Sequence, residues 1–84
     1  MFYTYVLRSK KDKGLYVGCT KNLKARLEEH NKGRVPSTKN RRPFEVICFE
    51  VCRNLSDARR REIYLKTYWG KMYLGKRLKS DTTG

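Results

Sequence analysis

Three residues whose side chains can take part in reactions lie within one short stretch of the sequence, residues 14–33. Tyr16 carries a phenol, Arg26 a guanidinium, and His30, the only histidine of the 84-residue chain, an imidazole. A guanidinium binds oxyanions through its planar set of donors, and an imidazole exchanges protons near neutral pH. Each residue type also has a plainer use. A tyrosine often packs in a core, and a lone histidine on a helix is often a surface residue or a satisfied hydrogen-bond partner.

A carboxylate, Glu62, lies where a helix is expected to face the core. At ~100° per residue it falls in the middle of an apolar stripe. The stripe comprises Leu55, Ala58, Leu65 and Trp69. A buried carboxylate is costly unless it is paired or bound to a cation. One interpretation is an ion pair with Arg59, Lys66 or an arginine of the preceding helix. The other is a ligand for a hard cation such as Mg²⁺, which takes one or two carboxylates and completes its shell with water and phosphate oxygens.

Two short strands are predicted to position the tyrosines. Residues 2–7 and 15–19 are rich in aromatic and β-branched residues, and a polar turn closed by Gly14 joins them, which favours an antiparallel hairpin. Side chains alternate between the faces of a strand, so antiparallel pairing can bring Tyr5, Tyr16 and Gly18 to one face of the sheet.

The rest of the chain predicts helices packed on a small sheet. Residues 23–32 form a helix that Asn22 or Thr20 can cap and Gly33 can end, with Arg26 and His30 one turn apart. A basic loop, too polar and broken for regular structure, spans residues 33–43, and a third strand spans residues 44–52. A helix over residues 54–70 and a short helix over residues 71–78 follow, and residues 79–84 are expected to fray. The order β-β-α-β-α-α predicts one α/β domain over residues 1–84, with a three-stranded, at least partly antiparallel sheet flanked by helices.

The composition indicates a nucleic-acid partner. The chain has 21 Lys and Arg against 8 Asp and Glu, a formal net charge of +13. Such a charge favours binding to a polyanion, because each neutralised phosphate releases condensed counterions. No stretch approaches the ~20 apolar residues of a membrane span, and no signal-peptide pattern is present, so we expect a cytoplasmic protein without a membrane partner. The three cysteines lack the paired spacing of zinc sites and are expected to be buried free thiols.

The ordered set of candidate residues resembles the GIY-YIG nuclease family. The tripeptide YTY at residues 3–5 stands at the first motif and YVG at residues 16–18 at the second. Arg26 follows ten residues after Tyr16, and Glu62 lies within the segment ARRREIYLK, as that family has them. The resemblance covers about residues 3–78, and the length is similar to that of small stand-alone members consisting of the nuclease module alone.

The resemblance implies a GIY-YIG-like fold and a metal-dependent endonuclease that hydrolyses phosphodiester bonds. It would act on DNA of a particular structure, such as branched or damaged duplexes, in repair or recombination. Glu62 would hold one Mg²⁺ or Mn²⁺ against the phosphate, and Arg26 would clamp the non-bridging oxygens. Tyr5 and Tyr16 would orient or deprotonate the water, with His30 as the other candidate base or proton shuttle.

These catalytic side chains are expected to converge on a shallow, basic, solvent-open groove, with His30 at its rim. Gly18 would leave space for a phosphate beside the phenols, and neighbouring basic residues would contact the DNA backbone. The predicted substrate contacts are Gly18, Lys21, Lys24, Arg34, Lys39, Arg41 and Arg42.

Some positions depart from the family pattern and keep other interpretations open. Tyr3 and Thr4 replace the glycine and isoleucine of the first motif, Cys19 stands where many members have a lysine, and Leu74 lies near the place of a common asparagine. A second interpretation is therefore a basic module that holds DNA or RNA and cuts slowly or not at all. A third, a small protein of a ribonucleoprotein particle, leaves the inward Glu62 without explanation. In a bacterium, a DNA-binding protein of this kind would associate with the nucleoid.

Overall fold

The protein is built on a three-stranded sheet in which every neighbouring pair is antiparallel. The computed structural model describes residues 1–78; the predicted frayed tail, residues 79–84, lies outside the described residues. The strands are β1 (Phe2–Ser9), β2 (Leu15–Thr20) and β3 (Phe44–Cys52), in the order β2-β1-β3. The predicted α/β architecture and element order are confirmed. Strands flank β1 on both edges and helices cover both faces of the sheet, so the residues of β1 from Thr4 to Leu7 are buried.

Helix α1 (Leu23–Asn31) covers one face of the sheet. The Asn22 side chain caps it by accepting a hydrogen bond from the Ala25 backbone N–H at 3.1 Å, and the chain reverses after it at Gly33, which has φ +77°. The core under α1 contains Tyr5, Leu7 and Phe44, with Leu23 and Leu27 packed against them. The Asn31 side chain joins the end of α1 to the start of β3, because it exchanges two hydrogen bonds with the Phe44 backbone.

The opposite face is covered by α2 (Leu55–Leu65) and α3 (Tyr68–Arg77), whose shared core includes Val6, Val17 and Leu65. The prediction of one helix over residues 54–70 is wrong. The Thr67 hydroxyl donates to the Tyr64 carbonyl at 2.6 Å and accepts from the Gly70 N–H at 3.1 Å, so it ends one helix and caps the next. Gly70, predicted to be the end of the helix, instead lies in the first turn of α3.

The position of Gly70 explains how closely the two helices approach. A Cβ atom at Gly70 would overlap the Tyr64 carbonyl oxygen and the Leu65 backbone, so only glycine fits there. Because the chain turns before Tyr68, Trp69 does not continue the stripe of Ala58 and Leu65. Its side chain is 66% exposed, and its predicted place in the core is wrong.

The basic loop, residues 33–43, is more ordered than its composition indicates. It contains a 3-10 helix, Lys39–Arg41, and its Val35 and Thr38 side chains are buried beneath the surface. The prediction of a loop without regular structure is therefore wrong over that one turn. The three cysteines are free thiols, but they are half-buried rather than buried as predicted. Among residues 1–78, no helix is long and apolar enough to cross a membrane.

Candidate active site

The Tyr5 phenol lies directly over Gly18 in the neighbouring strand. The two residues are partners in the β1–β2 register, so their side-chain positions share the face that α1 covers. A Cβ atom at Gly18 would overlap the Tyr5 hydroxyl oxygen and Cζ. The space at Gly18 is therefore filled by Tyr5, and the expectation that this glycine leaves room for a phosphate is wrong. Tyr5 is only 1% exposed, so its phenol also does not lie in an open groove.

His30 is in the core between α1 and the sheet, so its predicted place at the rim of a groove is also wrong. Its ring is fully buried and contacts the rings of Tyr16 and Phe44, with centroids 5.0 and 5.8 Å away. Nε2 lies 3.0 Å from the Tyr5 hydroxyl, and Nδ1 lies 2.8 Å from Thr38 Oγ1. Both ring nitrogens therefore have partners, which satisfies a polar side chain that would otherwise be costly to bury.

The hydrogen bonds of Thr38 indicate the tautomer of His30. Thr38 Oγ1 donates to the Val35 carbonyl at 3.4 Å, so it is free to accept from Nδ1–H of His30. Nε2 then carries the lone pair and accepts from the Tyr5 hydroxyl. Burial, helped by the charge of Arg26, lowers the pKa of His30 and keeps the imidazole neutral at neutral pH.

Arg26 lies beside the Tyr5 hydroxyl on the side of α1 that carries His30. Its guanidinium also forms an ion pair with Glu29 at 3.2 Å and is about one third exposed. Burial raises the pKa of Tyr5, an effect that hydrogen bonding to Arg26 opposes. The negative charge of Glu62 and the Tyr16 phenol also act on the pKa of Tyr5, so these groups lie within electrostatic range of one another.

Glu62 approaches from the opposite side of the sheet, on α2. Its carboxylate is 18% exposed, and Oε2 accepts from Lys66 Nζ at 2.9 Å. The ion pair with Lys66, one of the two interpretations of this residue, is therefore present. Lys66 is half exposed, and an i,i+4 pair of this kind contributes only about 0.3–0.5 kcal/mol. Such a pair does not prevent Glu62 from binding another cation.

The donor set at Glu62 fits one hard cation held mainly by water and substrate. Among residues 1–78 no group of three or more His, Cys, Asp or Glu side chains could hold a metal ion. A closed protein cage is therefore excluded for that part of the chain. Mg²⁺ commonly binds through a single carboxylate and phosphate oxygens, and Lys66 engages only one of the two oxygens of Glu62.

Four of the five predicted catalytic residues, all but Glu62, meet under α1 on one face of the sheet, and Glu62 lies on the other side within electrostatic range of Tyr5. Tyr5 and His30 are buried, whereas Tyr16, Arg26 and Glu62 are half-buried and reach solvent. Sequence reasoning missed Thr38, whose burial in a polar loop leaves no local signal. Arg59, considered above only as an ion-pair partner of Glu62, lies one turn before Glu62 on α2. Burial and the charge of Glu62 raise the pKa of the Cys19 thiol, and the charge of Arg59 opposes this effect. The Arg59 guanidinium is therefore the cation near Cys19, the position where many family members have a lysine.

The basic residues predicted to contact DNA fall into two groups. Lys21, Lys24, Arg34, Lys39 and Arg42 are exposed. Arg41 is different, because its guanidinium binds Asp12 through two hydrogen bonds of 2.7 and 3.2 Å and stacks over Phe44. This pair holds the pKa of Asp12 well below its usual range. Arg41 therefore joins the loop to the hairpin, which makes it a poorer phosphate contact than the others.

Comparison with known proteins places this chain in a family. Residues 1–76 match the GIY-YIG catalytic domain. A UPF0213 protein of Clostridium perfringens is 40% identical over 67 residues, which cover 79% of this chain and 71% of that protein. A UPF0213 protein of Pediococcus pentosaceus is 48% identical over 66 residues, covering 77% and 68%.

A solved structure has the same fold. The solution NMR structure of a UPF0213 protein from Bacillus halodurans superposes with a TM-score of 0.57 at 27% identity and covers 99% of this chain and 95% of that one. The chain belongs to the GIY-YIG family.

Proposed function

We propose that this protein is a metal-dependent endonuclease that hydrolyses phosphodiester bonds in DNA. The observation that carries the proposal is the arrangement around Tyr5, where Arg26, Tyr16 and His30 on one side of the sheet meet the charge of Glu62 from the other. A core that needed only packing would not place a guanidinium beside a buried phenol. Membership of the GIY-YIG family supports the same activity.

Each group has a distinct part in the proposed reaction. Arg26 binds the non-bridging oxygens of the phosphate, where its planar donors match their geometry. Tyr16, the phenol that reaches solvent, orients the attacking water. As the water oxygen bonds to phosphorus and the bond to the sugar oxygen breaks, the Tyr16 oxygen accepts the proton that the water loses, and the proton of Tyr16 passes to solvent. The buried Tyr5 donates to Nε2 of His30 and keeps its oxygen beside Arg26. The leaving oxygen takes a proton from solvent.

Glu62 would hold the divalent cation, Mg²⁺ or Mn²⁺, against the phosphate after exchanging its contact with Lys66. When bound, that cation stabilises negative charge on the phosphate and the leaving oxygen. Arg59 supplies further positive charge on the same side of α2. It would substitute for the lysine that many family members have at the position of Cys19.

Replacing Glu62 tests the proposal. We expect Glu62→Gln to reduce cleavage of labelled DNA in Mg²⁺ or Mn²⁺ by at least about a hundredfold. A chelator should reduce cleavage by the unaltered protein to the same extent. The fold should persist, because only a half-exposed ion pair is lost and the amide still accepts a hydrogen bond. The matched control is Glu28→Gln, an exposed carboxylate on α1. Equal cleavage by the Glu62 and Glu28 variants would rule out the metal-ligand role.

A basic nucleic-acid-binding module remains the second candidate function. The observation that favours it is the Lys66 amine at the Glu62 carboxylate, together with Cys19 in place of a lysine. The same assay separates the two functions, because a binding module retains DNA on a filter yet releases no product at any cation concentration.

We further infer that the substrate is DNA of unusual structure in the cytoplasm, within repair or recombination. A single small domain offers few contacts for reading a sequence, whereas branched or damaged duplexes are distinguished by shape. Cleavage of a branched duplex should therefore exceed that of the matched linear duplex. RNA of the same shape serves as the comparison that tests the choice of nucleic acid.

A further inference from the structure

A second surface of the molecule is exposed and rich in aromatic residues. It lies on α2 and α3, and we call it the aromatic platform. It consists of Tyr64, Tyr68, Trp69, Met72 and Tyr73. Tyr68 and Trp69 are 68% and 66% exposed, so large rings meet solvent where burial would ordinarily be favourable. Exposed apolar surface of this kind marks an interaction site more often than chance placement.

The rings of the platform are held in place by neighbouring groups. The Arg61 guanidinium lies 5.3 Å from the centroid of the Tyr64 ring and 4.7 Å from that of Tyr73. Arg61 is itself fixed by two hydrogen bonds of 2.8 and 3.1 Å to the Glu50 carboxylate on β3. Tyr68 and Trp69 meet edge to face at 5.2 Å. A preorganised set of rings loses little conformational entropy when a ligand binds.

The surroundings of the platform are strongly positive. Residues 55–77 contain seven Lys and Arg but only two acidic residues, Asp57 and Glu62, and both acids are paired with a basic side chain of the same helix. Lys76 lines the same surface as Tyr64 and Trp69. A second copy of this chain, with its own charge of +13, would be repelled, whereas a polyanion that also presents flat apolar rings complements the surface.

The platform lies apart from the catalytic residues. Tyr64 follows Glu62 by two positions, so the two side chains leave α2 about 160° apart around the helix axis. Arg61, next to the platform, pairs with Glu50 on β3, whereas Tyr16 lies on β2, at the other edge of the sheet. The proposed cleavage reaction uses none of the platform residues.

We propose that the aromatic platform binds unpaired nucleotides of a single nucleic-acid strand. Bases stack on the rings of Trp69, Tyr64 and Tyr68, and the neighbouring lysines and arginines contact the phosphates. Aromatic rings among basic residues are the usual means by which proteins hold single strands without reading their sequence. The platform would hold an unpaired arm or flap while a duplex lies at the candidate active site, although its binding does not depend on cleavage.

The test compares binding of single-stranded and duplex DNA without divalent cations. Labelled oligo-dT of about 12 nucleotides and a blunt duplex of equal length are titrated with each variant. We expect Trp69→Ala to weaken oligo-dT binding by about tenfold or more, and duplex binding by less than about twofold. Trp69→Phe, which keeps a ring, should retain most of the affinity, and Trp69→Leu, which keeps apolar bulk without a ring, should not.

The control is Ile63→Ala, because Ile63 is also 66% exposed and lies on α2, but it is aliphatic and projects about 100° around that helix from Tyr64. It should leave both affinities unchanged. The proposal would be overturned if Trp69→Ala bound oligo-dT with unaltered affinity, or if its affinity for duplex fell as much as its affinity for oligo-dT. It would also be overturned if Trp69→Leu kept full affinity for oligo-dT. If the protein self-associates, and Trp69→Ala abolishes the self-association without changing oligo-dT binding, the surface is a protein–protein interface instead. Cleavage by the Trp69 variant is measured separately, so loss of this inference leaves the nuclease proposal intact.

Discussion

At the scale of single residues, the side chain that matters most is buried. His30 links Tyr5 to Thr38 through both ring nitrogens, and this chain of hydrogen bonds fixes the phenol over Gly18. The polar cluster is satisfied, which makes it rigid, but it depends on a neutral imidazole. A second proton on the ring would place a donor against the Tyr5 hydroxyl proton and a charge in the core.

Stability should therefore fall on mild acidification. Burial lowers the pKa of His30 below the unfolded value of about 6.5, so the unfolded state binds the proton first as the pH falls. The free energy of unfolding should be highest above pH ~6.5 and decrease as the pH moves below that value toward the folded pKa. Urea unfolding at several pH values in this range measures it.

His30 is the only histidine, which makes the assignment direct. In His30→Gln the pH dependence in this range should disappear, although the variant is less stable throughout. A free energy of unfolding that is constant, or that rises, between pH 7 and pH 5.5 in the unaltered protein would contradict the buried neutral imidazole.

At the scale of elements, the pairing of β1 with β2 and the docking of the helices determine the arrangement of the candidate active site. The partners Tyr5 and Gly18 share one face, and the absence of a side chain at Gly18 lets the phenol reach α1. On the other face, Thr4 Oγ1 donates to the Ala58 carbonyl at 2.8 Å and ties α2 to β1. This contact lies one helical turn before Glu62 and positions it.

Two glycine substitutions should have opposite effects. Gly18→Ala forces a methyl group into the Tyr5 phenol and should destabilise the protein by about 1–3 kcal/mol. Gly75→Ala, in α3, meets nothing within 4 Å and should stabilise by up to about 1 kcal/mol through helix propensity. Thermal or urea unfolding measures both.

A shorter residue at position 5 provides the internal control. In a Tyr5→Leu background, which removes the ring that Gly18 accommodates, Gly18→Ala should cost much less. An equal cost in both backgrounds would show that backbone conformation, rather than the phenol, requires glycine at this position.

At the scale of the whole molecule, positive charge is the dominant property. The net charge of +13 is carried by a body whose extents are 31 × 28 × 18 Å. Five of the residues predicted to contact DNA are exposed, and Arg41 is committed to Asp12. Long-range attraction to a polyanion follows from this distribution whether or not the protein cuts its ligand.

The affinity for duplex DNA should depend steeply on salt. Five phosphate contacts predict a slope of about −4.5 for log K against log salt concentration. Lys39→Ala should reduce the magnitude of the slope by about 1, whereas Arg41→Ala should leave it almost unchanged. Binding titrations between low and physiological salt measure both. A slope near zero would point to an acidic protein as the ligand, and a larger effect of Arg41 than of Lys39 would contradict the assigned contacts.

Local patterns in the sequence determined most of the elements and indicated the family. The segment of residues 44–52 predicted the bounds of β3, and Asn22 was one of two predicted caps of α1, because strand composition and capping depend on neighbours in the chain. The order of Tyr5, Tyr16, Arg26 and Glu62 was enough to indicate the family. These features do not depend on how the elements pack, so they can be predicted from the sequence.

Only the tertiary structure decided which of these groups are buried and with what they pair. His30 meets Tyr5 across 25 positions and Arg41 meets Asp12 across 29, contacts that exist only after α1 and the loop dock on the sheet. The break at Thr67 likewise depends on Gly70 packing against the end of α2. Partners distant in sequence leave no periodic signal, and the burial that makes His30 neutral and leaves Trp69 exposed is a property of the packed elements together.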